Sequence, residues 1–262
     1  LLRPALVVGG IIGDGGALSI CCSDLIHMMR RNVDLKVLLF NNRIYGLTKG
    51  QYSPTSEVGK RSPSTPLGSA DNPFNPLAVV LGAGATFVAR AVDTDVKHLQ
   101  EMLKRAHEHR GTAFIELYQN CNVFNDLAFI NVTGKDVKSD RQIVLEHGKP
   151  LLFGKNKDKG IRMTKRGTPE IVEVGEGKVA VDDLPVHDET LASPGYAFML
   201  AHLEFPEFPV PVGVLRSVEA STYESVVRAQ EEEARKRNPK HGDLEALWNM
   251  GDTWEVTGSA AE

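Results

Sequence analysis

An aspartate sits inside a glycine turn, Gly13-Asp14-Gly15-Gly16, and a pair of asparagines, Asn41 and Asn42, opens the later stretch NNRIYGLTKGQYSPTS. A carboxylate, an amide oxygen and a backbone carbonyl are hard oxygen ligands of the kind Mg²⁺ takes, and Mg²⁺ held this way commonly also binds phosphates. Glycines let a backbone approach a ligand closely, and N–H groups at a helix N-terminus favour phosphate. Together these residue types imply a Mg²⁺–diphosphate cofactor. A G-D-G alone also fits a plain structural turn. Its pairing with N-N one crossover unit later is the sharper signal. Between the two lies Cys21-Cys22-Ser23-Asp24, two adjacent cysteines where a helix should run.

For Asp14 and Asn42 to meet, two strand ends must lie side by side. Ala5–Ile12 is an apolar, β-branched run bounded by glycines, as expected of a buried parallel strand. Ala17–Arg31 carries Leu18, Leu25, Ile26 and Met29 at helical spacing and ends in Arg30 and Arg31, which suit a helix C-terminus. Val33–Phe40 is the next apolar run. Strand, helix and strand form a right-handed βαβ unit whose two strands end on one edge of the sheet. Ligands of open α/β sheets bind at that edge, and Asp14 and Asn42 directly follow the two strand ends.

The polar loop from Asn41 to Pro73 is long for a structureless connection, which points to function. Pro76–Leu81 reads as a short helix and Thr86–Val92 as a strand. Thr94 is the expected N-cap of a helix through Val96, Leu99, Met102, Leu103 and Ala106, and Thr112–Tyr118 is a further strand. The expected fold class is α/β, a mostly parallel sheet with helices on both faces, over residues 1–121. Residues 122–262 read as a C-terminal extension. It begins with glycine-broken β-hairpins, continues through a helix in ASPGYAFMLAHLE and an extended FPEFPVPVGVLR, and ends in a charged helix over Glu219–Arg237 with a frayed end.

With 262 residues, 42% hydrophobic and 24% charged, the chain can bury a real core. A net charge of -4 offers no basic field, so nucleic acid is not an expected partner. Apolar runs such as Val33–Phe40 are too short to span a membrane, and no signal-peptide pattern is present. Three cysteines, two of them adjacent, make a poor disulfide framework, and the chain reads as cytoplasmic. It opens on Leu almost directly at a strand, so an upstream N-terminal piece is expected.

The run RRNVDLKVLLFNNRIYGLTKGQYSPTS, taken with the G-D-G turn, resembles the thiamine diphosphate motif. It resembles more closely the β subunit of 2-oxoacid:ferredoxin oxidoreductases, the 2-oxoglutarate type in particular. FNPL, GAGATFVAR, HRGTAFIELYQNCNVFND and LEHGKPLLFGKNKDKGIR extend the likeness from about Ala5 to Arg216, leaving the tail outside it. The resemblance implies a thiamine diphosphate-binding fold, with Mg²⁺ held by Asp14, Asn42 and the carbonyl of Ile44. It implies that Gly13, Gly15 and Gly46 shape the backbone around the diphosphate, and that Tyr45, Leu47 and Thr48 lie beside the cofactor. Lys49 would face the substrate pocket, where it either attracts a dicarboxylate or remains a solvated loop lysine. Cys121, in YQNCNVF, would be one ligand of a [4Fe–4S] cluster, which needs four thiolates. The family's other three cysteines lie upstream and are absent from this chain.

The implied reaction is oxidative decarboxylation of a 2-oxoacid to an acyl-coenzyme A, with electrons passing to ferredoxin. The activating glutamate would come from an α subunit, so this chain would carry no catalytic residue and would be inactive alone. The chain departs from the family at Gly16, where an acid is usual, and at Cys21-Cys22-Ser23-Asp24, where G-G-N-H is usual. Adjacent helical residues point about 100° apart, so Cys21 and Cys22 read as packing residues. Asp24 would oppose a diphosphate if it faced one. His27 reads as packed, and His107 and His109 as part of a charged helix end. The competing readings are a non-catalytic remnant that only assembles with the α subunit, or another thiamine diphosphate-dependent decarboxylase or synthase. NCNVF and the lack of fused domains argue against the last.

Overall fold

Strands buried on both faces need near-continuous apolar runs, and three such runs build the centre of this sheet. The structure is a computed structural model that describes residues 7–237, 244–252 and 254. β1 (Gly9–Gly13), β2 (Lys36–Asn41), β3 (Phe87–Val92) and β4 (Ala113–Tyr118) pair in parallel in the order β1-β2-β4-β3. β5 (Gln142–Leu145) follows, then an antiparallel sheet of β6 (Leu152–Phe153), β7 (Lys159–Met163) and β8 (Pro169–Glu173). β9 (Val210–Ser217) runs antiparallel to β3 and parallel to β5, completing the six-stranded sheet.

Helices cover both faces. α1 (Cys22–Arg31), α2 (Pro76–Gly82) and, later, α6 (Gly195–Ala201) pack Leu25, Met29, Leu77 and Leu200 on one face against Val37, Leu39, Val88 and Phe114. α3 (Val96–Glu108) packs Met102 and Ala106 on the other, against Phe87, Ala89, Ile115 and Leu117. Short turns α4 (Ile130–Thr133) and α5 (Lys138–Arg141) lead into β5. The compact unit runs to Thr222, because β5 and β9, both beyond residue 121, complete the main sheet. From Tyr223 a separate unit holds the charged helix α7 (Tyr223–Arg237) and the short α8 (Leu244–Trp248).

Four local expectations change. β1 begins at Gly9, Ala5 lies outside the described residues, and the strand is at the sheet's edge with Ile11 73% exposed. The helix expected over Ala17–Arg31 is interrupted. Residues Gly16–Ile20 form a π-turn, closed by the Cys21 N–H donating to the Gly16 carbonyl at 2.9 Å, before α1 begins; such turns cluster at functional sites. Asp95, not Thr94, caps α3, its carboxylate accepting from the His98 N–H at 3.3 Å. His27 is exposed rather than packed. The frayed end expected for the last dozen residues falls almost wholly outside the described residues.

At the edge of the sheet opposite the carboxyl ends, Asn32 closes α1 in the left-handed conformation (φ 50°). Its Oδ1 accepts from the Thr86 hydroxyl at 2.8 Å and the Thr112 N–H at 3.0 Å. Gly111 (φ 116°) leaves room for it, since a Cβ there would lie 2.3 Å from Asn32 Oδ1. His109 Nε2 lies 2.9 Å from the same Thr86 hydroxyl. Burial, with help from Lys36, pushes the His109 pKa down from 6.5 to about 4. The unfolded chain therefore takes up a proton near pH 6.5 that the folded chain refuses until about pH 4. His109 leaves stability intact above pH 6.5 and reduces it as pH falls towards 4. Urea midpoints at pH 7 and pH 5 should differ less in His109→Gln than in the unaltered chain.

Candidate functional site

The parallel register pairs Gly13 of β1 with Phe40 of β2, so the residues that follow each strand end emerge together. Asp14 is 1% exposed. Its Oδ2 accepts from the Thr55 hydroxyl at 2.6 Å and from the Ser53 hydroxyl. Burial raises its pKa above the usual carboxylate value, and the two hydroxyl donors oppose that rise. Both hydroxyls belong to the SPTS stretch, so the long polar loop folds back over the glycine turn. Ser56 in the same stretch donates to the Arg43 carbonyl at 2.7 Å.

With its two donors on Oδ2, Asp14 turns Oδ1 towards Asn42. In the orientation that satisfies its hydrogen bonding, the Asn42 side-chain nitrogen donates to Asp14 Oδ1 at 3.2 Å and to the Ile44 carbonyl at 2.9 Å. Asp14 Oδ1, the Asn42 amide and the Ile44 carbonyl therefore meet at one point, and turning the amide over would bring its oxygen beside the other two. Between Asn42 and Ile44, Arg43 adopts φ 56°, a conformation uncommon for any residue but glycine. Ile44 itself is buried.

The flanking glycines differ in what they do. Tyr45 lays its ring over Gly15 and donates its hydroxyl to the Gly15 carbonyl at 3.1 Å; a Cβ on Gly15 would lie 2.1 Å from the ring. A Cβ at Gly16 would come within 3.2 Å of Ile12, whereas Gly13 and Gly46 border open space. Tyr45 to Gln51 form a tight loop, closed by the Tyr45 N–H donating to the Gln51 carbonyl at 2.9 Å. Its tip holds Leu47, 97% exposed, with exposed Thr48 and Lys49.

A layer beneath the site escaped the sequence reading. Asn41 donates its Nδ2 to Glu116 at 2.8 Å, and the other Glu116 oxygen accepts from Arg90 Nε at 2.7 Å. Both charged side chains are 1% exposed. The Thr55 hydroxyl lies 3.0 Å from Asn41 Oδ1, so this layer reaches Asp14 through one residue. Asn41, Thr55, Arg90 and Glu116 line a cavity of about 550 Å³. The signal was present as a charge inside each of two apolar runs, FVARAV and AFIELY, whose Arg90 and Glu116 pair in register.

Cys121 is half-buried just beyond β4. Its carbonyl accepts from the Asn125 N–H at 3.0 Å, and the Asn125 side chain donates to the Asn42 carbonyl at 2.9 Å. Cys21 and Cys22 are half-buried at the junction of π-turn and α1, and Asp24 is exposed. Among the described residues, no three His, Cys, Asp or Glu side chains group as a metal site.

The thiamine pyrophosphate enzyme, C-terminal TPP binding domain family matches residues 1–117. The chain is 45% identical over 258 residues to the 2-oxoglutarate oxidoreductase subunit KorB of Mycobacterium tuberculosis, an alignment covering 98% of this chain and 68% of that one. It is 44% identical over 127 residues to the 2-oxoacid:ferredoxin oxidoreductase subunit beta of Saccharolobus solfataricus, covering 48% of this chain and 42% of that one. A solved structure of the 2-oxoglutarate:ferredoxin oxidoreductase from Magnetococcus marinus, with 2-oxoglutarate, coenzyme A and succinyl-CoA bound, superposes with a TM-score of 0.64 at 29% identity. That match covers 90% of this chain and 64% of the other.

The Arg90–Glu116 pair gives a stability test. Arg90→Met leaves Glu116 buried without its cation and should cost about 3–5 kcal/mol. Adding Glu116→Gln should restore part of the loss, read from urea denaturation of the single and double variants.

Proposed function

The chain belongs to the β subunits of the 2-oxoacid:ferredoxin oxidoreductases, and from that premise we propose that it holds thiamine diphosphate through Mg²⁺ for oxidative decarboxylation of a 2-oxoacid. The substrate read here is 2-oxoglutarate, the product its acyl-coenzyme A, and the electron acceptor ferredoxin. The observation that carries this reading is the meeting of Asp14 Oδ1, the Asn42 side-chain amide and the Ile44 carbonyl, which becomes a three-oxygen set when a cation turns the amide oxygen inward. Ligands about 2.1 Å from an octahedral Mg²⁺ stand about 3.0 Å from their neighbours; the Asn42 amide atom that now donates stands 3.2 and 2.9 Å from the other two oxygens, so a turned amide would meet that spacing. The donor set is one carboxylate and two neutral oxygens, which suits a cation that also binds a diphosphate.

Each surrounding residue then has a task. Ser53 and Thr55 fix the Asp14 carboxylate by one oxygen and leave the other for the cation. The open faces of Gly13 and Gly46 admit diphosphate oxygens that a side chain would crowd. Gly15 lets Tyr45 close over the turn, and Gly16 continues that turn into the π-turn. Thiamine diphosphate, when bound, supplies the nucleophilic carbon and the electron sink for decarboxylation. Leu47, Thr48 and Lys49 stand in solvent at the loop tip, available to the cofactor and to an α subunit that brings the activating glutamate. Lys49 supplies a positive charge for the second carboxylate of 2-oxoglutarate. Cys121 would give one thiolate to a [4Fe–4S] cluster. Three cysteines do not make the four-thiolate set, so such a cluster is not held by this chain's residues alone. The departures at Gly16 and Cys21–Asp24 leave the meeting of Asp14, Asn42 and Ile44 intact. Among the described residues no helix is long and apolar enough to cross a membrane.

Calorimetric titration of the chain with its α partner should show thiamine diphosphate binding that requires Mg²⁺ and disappears with a chelator. Asn42→Ala should weaken Mg²⁺ binding by roughly tenfold or more. An unchanged affinity in that variant refutes the assignment.

A further inference from the structure

The residues that hold the cation loop from behind belong to the Cys121 loop. Asn125 is 6% exposed and sits at a three-way junction. Its Nδ2 donates to the Asn42 carbonyl at 2.9 Å and lies 3.3 Å from the Arg43 carbonyl. Its Oδ1 accepts from Lys60 Nζ, and its own N–H donates to the Cys121 carbonyl at 3.0 Å. An ammonium only donates and a carbonyl only accepts, so a side chain of this size must carry both a donor and an acceptor to satisfy both sides. An asparagine does so; an aspartate or a leucine does not.

The held carbonyls are those of Asn42, whose side chain faces Asp14, and of Arg43, the left-handed residue (φ 56°) between Asn42 and Ile44. The Arg43 carbonyl is held a second time by the Ser56 hydroxyl at 2.7 Å. Farther along, Phe124 packs against Gly50 (φ 100°), where a Cβ would meet the ring at 3.3 Å. The segment from Cys121 to Asn125 thus grips the 42–51 loop near both ends.

We propose that Asn125 is a positioning residue for the cation loop, and that through it the Cys121 loop responds to occupancy of the Asp14–Asn42–Ile44 site. Asn125 fixes the peptide on either side of the Arg43 turn, and so aims the Asn42 amide and the Ile44 carbonyl at one point. A cation drawing on those two oxygens shifts peptides that Asn125 ties to Cys121. The inference rests on the Mg²⁺ reading of the three oxygens.

Two measurements test it, neither of which reads turnover. Asn125→Asp keeps the acceptor for Lys60 and removes the donor to the two carbonyls. With saturating thiamine diphosphate, Mg²⁺ affinity by calorimetry should fall about tenfold, the range typical of lost support behind a metal ligand, while circular dichroism stays unchanged. A folded Asn125→Asp chain with unaltered affinity overturns the proposal. The second measurement needs no change at Asn125. In the cluster-free chain with Cys21→Ser and Cys22→Ser, Cys121 is a free thiol and the only one left in the sequence. Its rate of reaction with a disulfide reagent should change severalfold on adding Mg²⁺ and thiamine diphosphate, and Asn125→Asp should abolish that response. A rate indifferent to loading in the chain with Asn125 intact overturns the proposal. If Asn42→Ala loses Mg²⁺ binding while Asn125→Asp keeps it, this inference alone falls. If Asn42→Ala binds as well as the unaltered chain, the cation reading falls and takes this one with it.

Discussion

A carboxylate taken out of water must find partners for both oxygens, or it neutralises or destabilises the fold around it. Asp14 meets that demand unequally. Two hydroxyls crowd one oxygen, and the other faces the Asn42 amide. Much of the local architecture follows from this division. The loop after β2 is long because it must travel out and return to lay Ser53 and Thr55 on Asp14. It is polar because the residues that return are hydroxyl-bearing and buried: Ser53, Thr55 and Ser56 are all 3% exposed or less.

The same economy operates one layer down. Asn41 shares its amide between Thr55 and Glu116, and Glu116 shares its carboxylate between Asn41 and Arg90. Asp14, Thr55, Asn41, Glu116 and Arg90 form an unbroken chain at hydrogen-bond distance, with Ser53 and the Arg43 N–H as further donors to Asp14 and Asn41. A buried polar network of this kind is costly if half-made and rigid if complete. It spans β1, β2, β4 and β3, so it ties the position of the carboxylate to the register of the parallel strands themselves.

The βαβ unit and the meeting of Asp14 with Asn42 were legible because both depend on short-range pattern: apolar periodicity, glycine punctuation and the handedness of one crossover. Contacts made by loop residues across the fold have no period to reveal them. Ser53 and Thr55 touch Asp14 from the far end of an irregular segment, and Asn125 reaches Asn42 after the chain has passed through β3, α3 and β4. β1 reads as a buried strand because its residues are apolar, yet strand order, which periodicity does not encode, leaves it at an edge with Ile11 exposed. The run PVPVGVLR hides a buried strand behind two prolines, because proline usually marks an edge. Here β9 lies between β3 and β5, with Val210, Val212 and Val214 buried.

The place of β9 in the sheet also bears on how the chain can be made. Ser217 pairs with Phe87, and Pro211 offers its carbonyl to Arg90 at 3.4 Å. On a ribosome the parallel strands β1 to β4 emerge long before β9, so for much of synthesis one side of β3 has no partner and Arg90 lacks part of its cover. Late pairing of distant segments is slow and leaves strand edges open to other chains. The middle of the sheet, and with it the burial of the charged layer beneath Asp14, therefore closes only after β9 has emerged, rather than in step with the strands that carry the site.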